Sequence, residues 1–165
     1  MRPDRFHTLL TGLLKDDPQV QAVQTLEEAG LKRHAYGHVV TYATGATVML
    51  QIIAMAAPGD RYSEPEKIIE GDSALAEVEV PDAFEGGKLH LAKADQRLAA
   101  LVTNSGSREV ASVEAFSTRE AKTSVPYGVR VNFHDESTIL VYVVHAAAAG
   151  RDVETGREFD VPVAV

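Results

Sequence analysis

The chain has 165 residues, 45% of them hydrophobic, and carries 24 acids against 16 Lys and Arg, for a net charge of −8. That length suits one domain able to bury a core, and the apolar share excludes a chain disordered throughout. The lack of cysteine excludes disulfides, thiolate zinc sites and a cysteine nucleophile together, and fits a cytoplasmic setting.

The first segment has helical apolar spacing at Phe6, Leu9, Leu10, Leu13 and Leu14, opened by Pro3 and stopped near Asp17-Pro18. His7 and Thr8 interrupt its apolar stripe, so it does not read as a secretory signal. Residues 20–26 admit two readings. Val20 and Val23 fit a strand, while Asp17-Pro18 and Gly30 also bracket a helix. Residues 35–59, AYGHVVTYATGATVMLQIIAMAAPG, read as a β-hairpin with Thr44-Gly45 as its turn. A two-residue turn pairs Tyr42 with Thr47, Val40 with Met49 and His38 with Gln51. Thr47 and Gln51 break the longest apolar run well short of the ~18 residues a membrane-spanning helix needs. The expected protein is soluble, with no membrane partner.

An acidic connector follows at 60–90. Between Asp60 and Lys88 lie nine acids and three bases, a net of −6, which leaves −2 for the rest of the chain. Such a run reads first as a solvated linker, or as a lure for a basic partner. The acidic balance also disfavours nucleic acid, which needs clustered Lys and Arg. Gly86-Gly87 marks a hinge before a second amphipathic helix built on Leu91, Leu98, Leu101 and Val102 and ended near 104–106. Residues 110–116 then have strand character.

The next stretch, 126–150, repeats 35–59 without a gap at an offset of 91. Across the 24 pairs from Tyr36/Tyr127 to Gly59/Gly150, seven are identical, including the Tyr-Gly start and the closing Gly, and six more swap within a class. The predicted architecture is an α+β two-layer sandwich from a duplicated α-β-β-β unit: a mostly antiparallel sheet of about six strands with two helices on one face. As one domain over 1–165, it divides into a first repeat (1–59), the connector (60–90), a second repeat (91–150) and a C-terminal tail (151–165).

With two-residue turns, alternation assigns Val40, Tyr42, Met49, Ile53, Leu140, Tyr142 and Val144 to the helix-covered face. The other face then carries Leu50, Ile52, Val141 and Val143 with Arg130, Asn132, His134 and His145. An aliphatic centre on a bare sheet face points to an interface or ligand site. Arg130, His134 and His145 together could hold an anion, or imidazole could act as a general base. No nucleophile elbow, phosphate loop, dinucleotide fingerprint or metal-ligand spacing is present, so no catalytic residue, metal or cofactor is assigned.

The segments VQAVQTLEEAG, YGHVVTYATGATVMLQI and NSGSREVASVEAFSTR resemble those of uncharacterised proteins from high-GC actinobacteria, some associated with integrated mobile elements. The resemblance implies an intracellular accessory protein and supplies no activity. The expected function is therefore a noncatalytic protein-binding or assembly module, pairing with itself as a homodimer or with another protein. The alternative is a small-molecule binder or enzyme using the patch around Arg130, His134 and His145.

Overall fold

The computed structural model of the chain describes residues 1–121, 124–151 and 158–165. Helix α1 (Pro3–Asp16) leads into β1 (Val20–Thr25), β2 (Gly37–Tyr42) and β3 (Thr47–Met55). A connector containing the small hairpin β4 (Phe84–Glu85) and β5 (Lys88–Leu89) leads to α2 (Leu91–Thr103). Strands β6 (Val110–Ala115), β7 (Gly128–Phe133) and β8 (Thr138–Ala147) complete the second unit, with a 3-10 turn at Phe116–Thr118. The sheet has six strands in the order β1-β2-β3-β8-β7-β6, every neighbouring pair antiparallel. The fold is thus α+β, with two helices and a duplicated β unit.

The repeat is written into the sheet's register. Strands β2 and β7 start 91 residues apart, as do β3 and β8. The central pair β3·β8 sets Gln51 opposite Tyr142, which are themselves counterparts at that offset. The pseudo-twofold axis therefore passes beside this pair. Each outer strand carries a bulge at matching places, between Val20 and Ala22 in β1 and between Val110 and Ser112 in β6. The ambiguous stretch after α1 is a strand, its start fixed by a turn in which the Val20 N–H donates to Asp17 O at 3.0 Å.

One register expectation is overturned. Each hairpin loop has three residues, not two: the Gly45 N–H donates to Tyr42 O (2.8 Å) and the Tyr42 N–H to Ala46 O (2.8 Å). In the second hairpin the Glu136 N–H donates to Phe133 O (3.0 Å) and the Phe133 N–H to Ser137 O (3.0 Å). Gly45 and Glu136 both take positive φ, 82° and 67°, the left-handed third residue of a type I turn with its bulge. Val40 consequently faces Val48, and His38 faces Leu50. A one-residue slip turns every side chain of a strand to the other face. Leu50 (3% exposed), Ile52 (6%), Val141 (0%) and Val143 (2%) therefore lie in the core with Phe6, Leu10, Leu98 and Val102 of the helices. They do not form a bare aliphatic face.

The Tyr-Gly start of each hairpin has a steric cause. At Gly37 a Cβ would overlap the Leu50 carbonyl oxygen, and at Gly128 it would overlap that of Val141. Leu50 and Val141 are again counterparts at the 91-residue offset. The halves are tied by a buried ion pair, Arg97 of α2 donating through Nε (2.8 Å) and Nη2 (2.5 Å) to the carboxylate of Asp17 at the end of α1.

The connector is pinned along the helix layer rather than free. Arg2 binds Asp60 (2.8 Å), Arg5 binds Glu66 (3.1 Å), and Gly71 pairs its N–H with Arg108 O (2.8 Å). The Asn104 side chain both accepts from the Val78 N–H and donates to Val78 O, each at 2.8 Å, and Leu75 packs on the core. No described helix is long and apolar enough to cross a membrane.

Two measurements check this packing. Gly37→Ala and Gly128→Ala should each lower the unfolding free energy by about 2–3 kcal/mol in a denaturant titration, because backbone must shift to admit the methyl group. Arg97→Ala should cost about 3–5 kcal/mol by leaving the Asp17 carboxylate buried and unpaired.

Candidate functional site

The correct register moves a different set of side chains onto the face away from the helices. Val39, Met49 and Val144 lie there beneath Leu26 and Leu31 of the β1–β2 loop. Tyr142 is covered by two rings, Phe116 at 5.7 Å and Phe159 at 6.2 Å, both edge-on, and the Phe159 N–H donates to Val144 O (2.8 Å). This half of the outer face is closed.

The other half is open. Cross-strand pairing aligns Glu114, Arg130, Leu140 and Ile53 in one row, and Ser112, Asn132, Thr138 and Met55 in the next. Leu140 and Ile53 are half-buried and Met55 is 47% exposed. Beside them is a shallow concavity of about 200 Å³, lined by Met55, Phe116, Arg119, Ser124, Val125, Arg130, Leu140 and Tyr142.

Its wall is held rigidly. Arg119 lies 3.8 Å over the Phe116 ring and donates to Glu114 through Nε (2.9 Å) and Nη2 (2.5 Å). Asp95, buried in α2, braces the wall from behind by accepting from Ser117 N (3.0 Å), Ser117 Oγ (2.6 Å) and the Gly128 N–H (3.2 Å). Burial raises the Asp95 carboxyl to about 6 against the pull of those donors. Arg130 donates through Nε to Asn132 Oδ1 (3.1 Å), and Asn132 in turn engages Ser112 and Thr138. Among the described residues the two terminal nitrogens of Arg130 have no protein partner.

Of the residues singled out from sequence, Arg130 and Asn132 fall on this open half-face. His145 is also on the outer side, opposite Met49 in the bulged part of β8. It lies five residues along the strand from Leu140, about 16 Å away. His134 occupies the β7–β8 loop, its ring against Gly71 of the connector and its N–H donating to Glu109 O (3.0 Å). Arg130, His134 and His145 are thus spread over separate places. Phe116 and Arg119 escaped the sequence reading because their segment folds back over the sheet, and no local pattern encodes that return.

The sheet's edges are blunted. On β1 the Thr25 N–H donates to Glu28 Oε2 (2.7 Å) and Thr25 O accepts from the Ala29 N–H (3.0 Å). On β6, Ala115 O accepts from Thr118 Oγ1 (2.8 Å). With a bulge at the other end of each strand, little open ladder remains for an added strand. A wider concavity of about 630 Å³ between α2 and β6 is lined by Ala99, Ala100, Thr103 and Ala115 together with Val78, Pro81, Val113 and the acids Glu79 and Glu114. The amide nitrogen of Gln96 there is already spent on Ser117 (3.1 Å). No group of three or more His, Asp or Glu side chains among the described residues is placed to hold a metal.

The Asp95 brace has a measurable pH signature. Its folded-state pKa stands above the unfolded 3.8, so its stabilisation is complete below pH 3.8 and is lost as pH rises through about 6. Between pH 4 and pH 8 the stability of Asp95→Asn should therefore gain on that of the unsubstituted protein by about 2 kcal/mol, read from denaturant titrations at each pH. Comparison with protein-family models, with curated proteins and with solved structures finds no match to the chain.

Proposed function

We propose that the chain is a noncatalytic protein-binding module whose working surface is the open half-face beside Arg130. Its partner is an extended protein segment that carries acids next to aliphatic side chains. One observation carries this reading: an apolar floor of Leu140, Ile53 and Met55 stands beside a guanidinium with two unused nitrogens. An aliphatic side chain on that floor would be removed from water while a neighbouring carboxylate took the fork of Arg130, a bidentate geometry that guanidinium favours.

Two further features support a face rather than an edge as the docking surface. The edges of β1 and β6 are capped or bulged, which disfavours strand addition. The wall of the groove is preset by Asp95, Arg119 and Phe116, so a ligand would meet it already formed.

Fluorescence anisotropy with a labelled peptide alternating Glu with Leu and Ile tests this directly, against a control in which Lys replaces Glu. The acidic peptide should bind and the basic one should not. Arg130→Glu and Leu140→Asp should each weaken binding at least tenfold, about 1.4 kcal/mol, with thermal midpoints kept. Equal binding of both peptides, or affinity indifferent to both substitutions, removes the surface from consideration. A native-mass-spectrometry dimer abolished by Leu140→Asp would replace the foreign segment with a second copy of the chain.

A further inference from the structure

We infer that His7, Thr11 and His38 form a proton-operated clasp, which holds the first helix on the sheet at neutral pH and loosens that helix alone on acidification. This device is independent of the outer-face groove and lies on the opposite side of the sheet.

The clasp is a stack. The imidazoles of His7 on α1 and His38 on β2 lie face to face, centroids 4.3 Å apart and 12° from parallel. The Gly37 carbonyl can only accept, so His7 Nε2 bears the hydrogen that reaches it at 3.2 Å. Thr11 Oγ1 sits 2.7 Å from His7 O and 2.7 Å from His38 Nε2. Its single proton goes to the carbonyl, and His38 Nε2 must then donate to the hydroxyl oxygen. That fixes the tautomer of His38 and leaves Nδ1 as the only nitrogen able to take a proton.

Among the described residues nothing is arranged to receive that proton's new N–H. His38 is 0% exposed, and its Nδ1 has no hydrogen-bond partner among them. The groups that bear on it electrostatically are His7 and Lys15 from α1, which oppose a positive charge, and Glu28 from the β1–β2 loop, which favours one. The Tyr36 ring stands 5.9 Å from that of His7. Burial first, then His7, pushes His38 down to about 4.

The second repeat shows that the fold does not require this trio. At the 88-residue offset that matches the buried faces of the helices, His7 and Thr11 correspond to Asp95 and Ala99; at the 91-residue offset of the hairpins, His38 corresponds to Val129. One half fills this helix–sheet contact with a valine, an alanine and the Asp95 carboxyl, which turns to Ser117 and Gly128. The other stacks two ionisable rings in the same place.

The sign follows from linkage. The folded-state pKa of His38 is depressed below the 6.5 of a free imidazole, so its stabilisation is complete above pH 6.5 and is lost as pH falls toward 4. Helix α1 also buries Phe6, Leu10 and Leu14, so acid weakens its docking rather than melting the whole chain.

Amide hydrogen exchange of the full chain, corrected for intrinsic rates, tests the clasp. From pH 7 to pH 5 the protection of α1 should fall roughly twentyfold while that of α2, where acid favours Asp95, does not fall, and His38→Val, copying Val129, should erase the loss in α1. Parallel loss in both helices, or an acid loss that persists in His38→Val, would overturn the proposal. Should that variant not fold, a titration of the His38 ring by NMR decides the matter: a midpoint at or above 6.5 refutes the clasp, and one below 5 sustains it.

Discussion

The left-handed third residue of each hairpin loop, Gly45 in one half and Glu136 in the other, determines which side of β3 and β8 meets the helices. Everything in the core depends on that register. With it, Leu50, Ile52, Val141 and Val143 join the helix residues in one apolar layer. The same geometry turns Leu140, Tyr142, Ile53 and Met55 outward, which creates the open half-face. Glycine adopts this conformation without cost, whereas Glu136 must bear the strain of a Cβ near the following carbonyl. The register survives in the second loop because the packing around it outweighs that strain.

A shared frame carries unlike chemistry in its two halves. The helices bury equivalent positions, Pro3, Phe6, Leu10 and Leu14 against Leu91, Ala94, Leu98 and Val102. At the fifth position of each helix a polar side chain reaches the glycine that begins the adjacent strand. His7 donates to Gly37 O, whereas Asp95 accepts from the Gly128 N–H. One contact satisfies the carbonyl and the other the amide of the same structural residue. The role is therefore preserved as a site of backbone support while its charge is reversed. Arg97 and Asp17 then lock the halves together across the pseudo-axis, a pair that is not repeated because their counterparts at the 88-residue offset are Leu9 and Ser105.

Much of this architecture could be read from the sequence, because duplication doubles the signal. Six strands, two helices and their grouping follow from the 91-residue offset combined with ordinary apolar spacing. The ambiguous residues 20–26 are drawn to strand by their counterpart at 110–116. Loop length was the weak point. Thr-Gly looks like a two-residue turn, and only the hydrogen bonds of Tyr42 and Phe133 reveal a three-residue loop. One residue of error exchanged the two faces of β3 and β8, so the aliphatic members of the expected site went into the core, while Arg130 and Asn132 on β7 kept their outward places. Phe116 and Arg119 acquire their positions from long-range return of the chain, which short-range pattern does not encode.

The seam between β3 and β8 also sets an order of assembly. It pairs Thr47 with Ala147 and Met55 with Thr138, so its closure waits until the second unit has been made. Until then the first unit carries an unpaired edge at the very strand that will become central. Two chains meeting at that stage would find in each other the same β8 that each still lacks, since a second copy's second unit presents an identical seam. The long connector, pinned by polar hooks and by Leu75 and Ala83 in the core of the closed form, would be the hinge for such an exchange. Internal duplication thus makes the seam inside one molecule the same seam that two molecules would build by exchanging their halves.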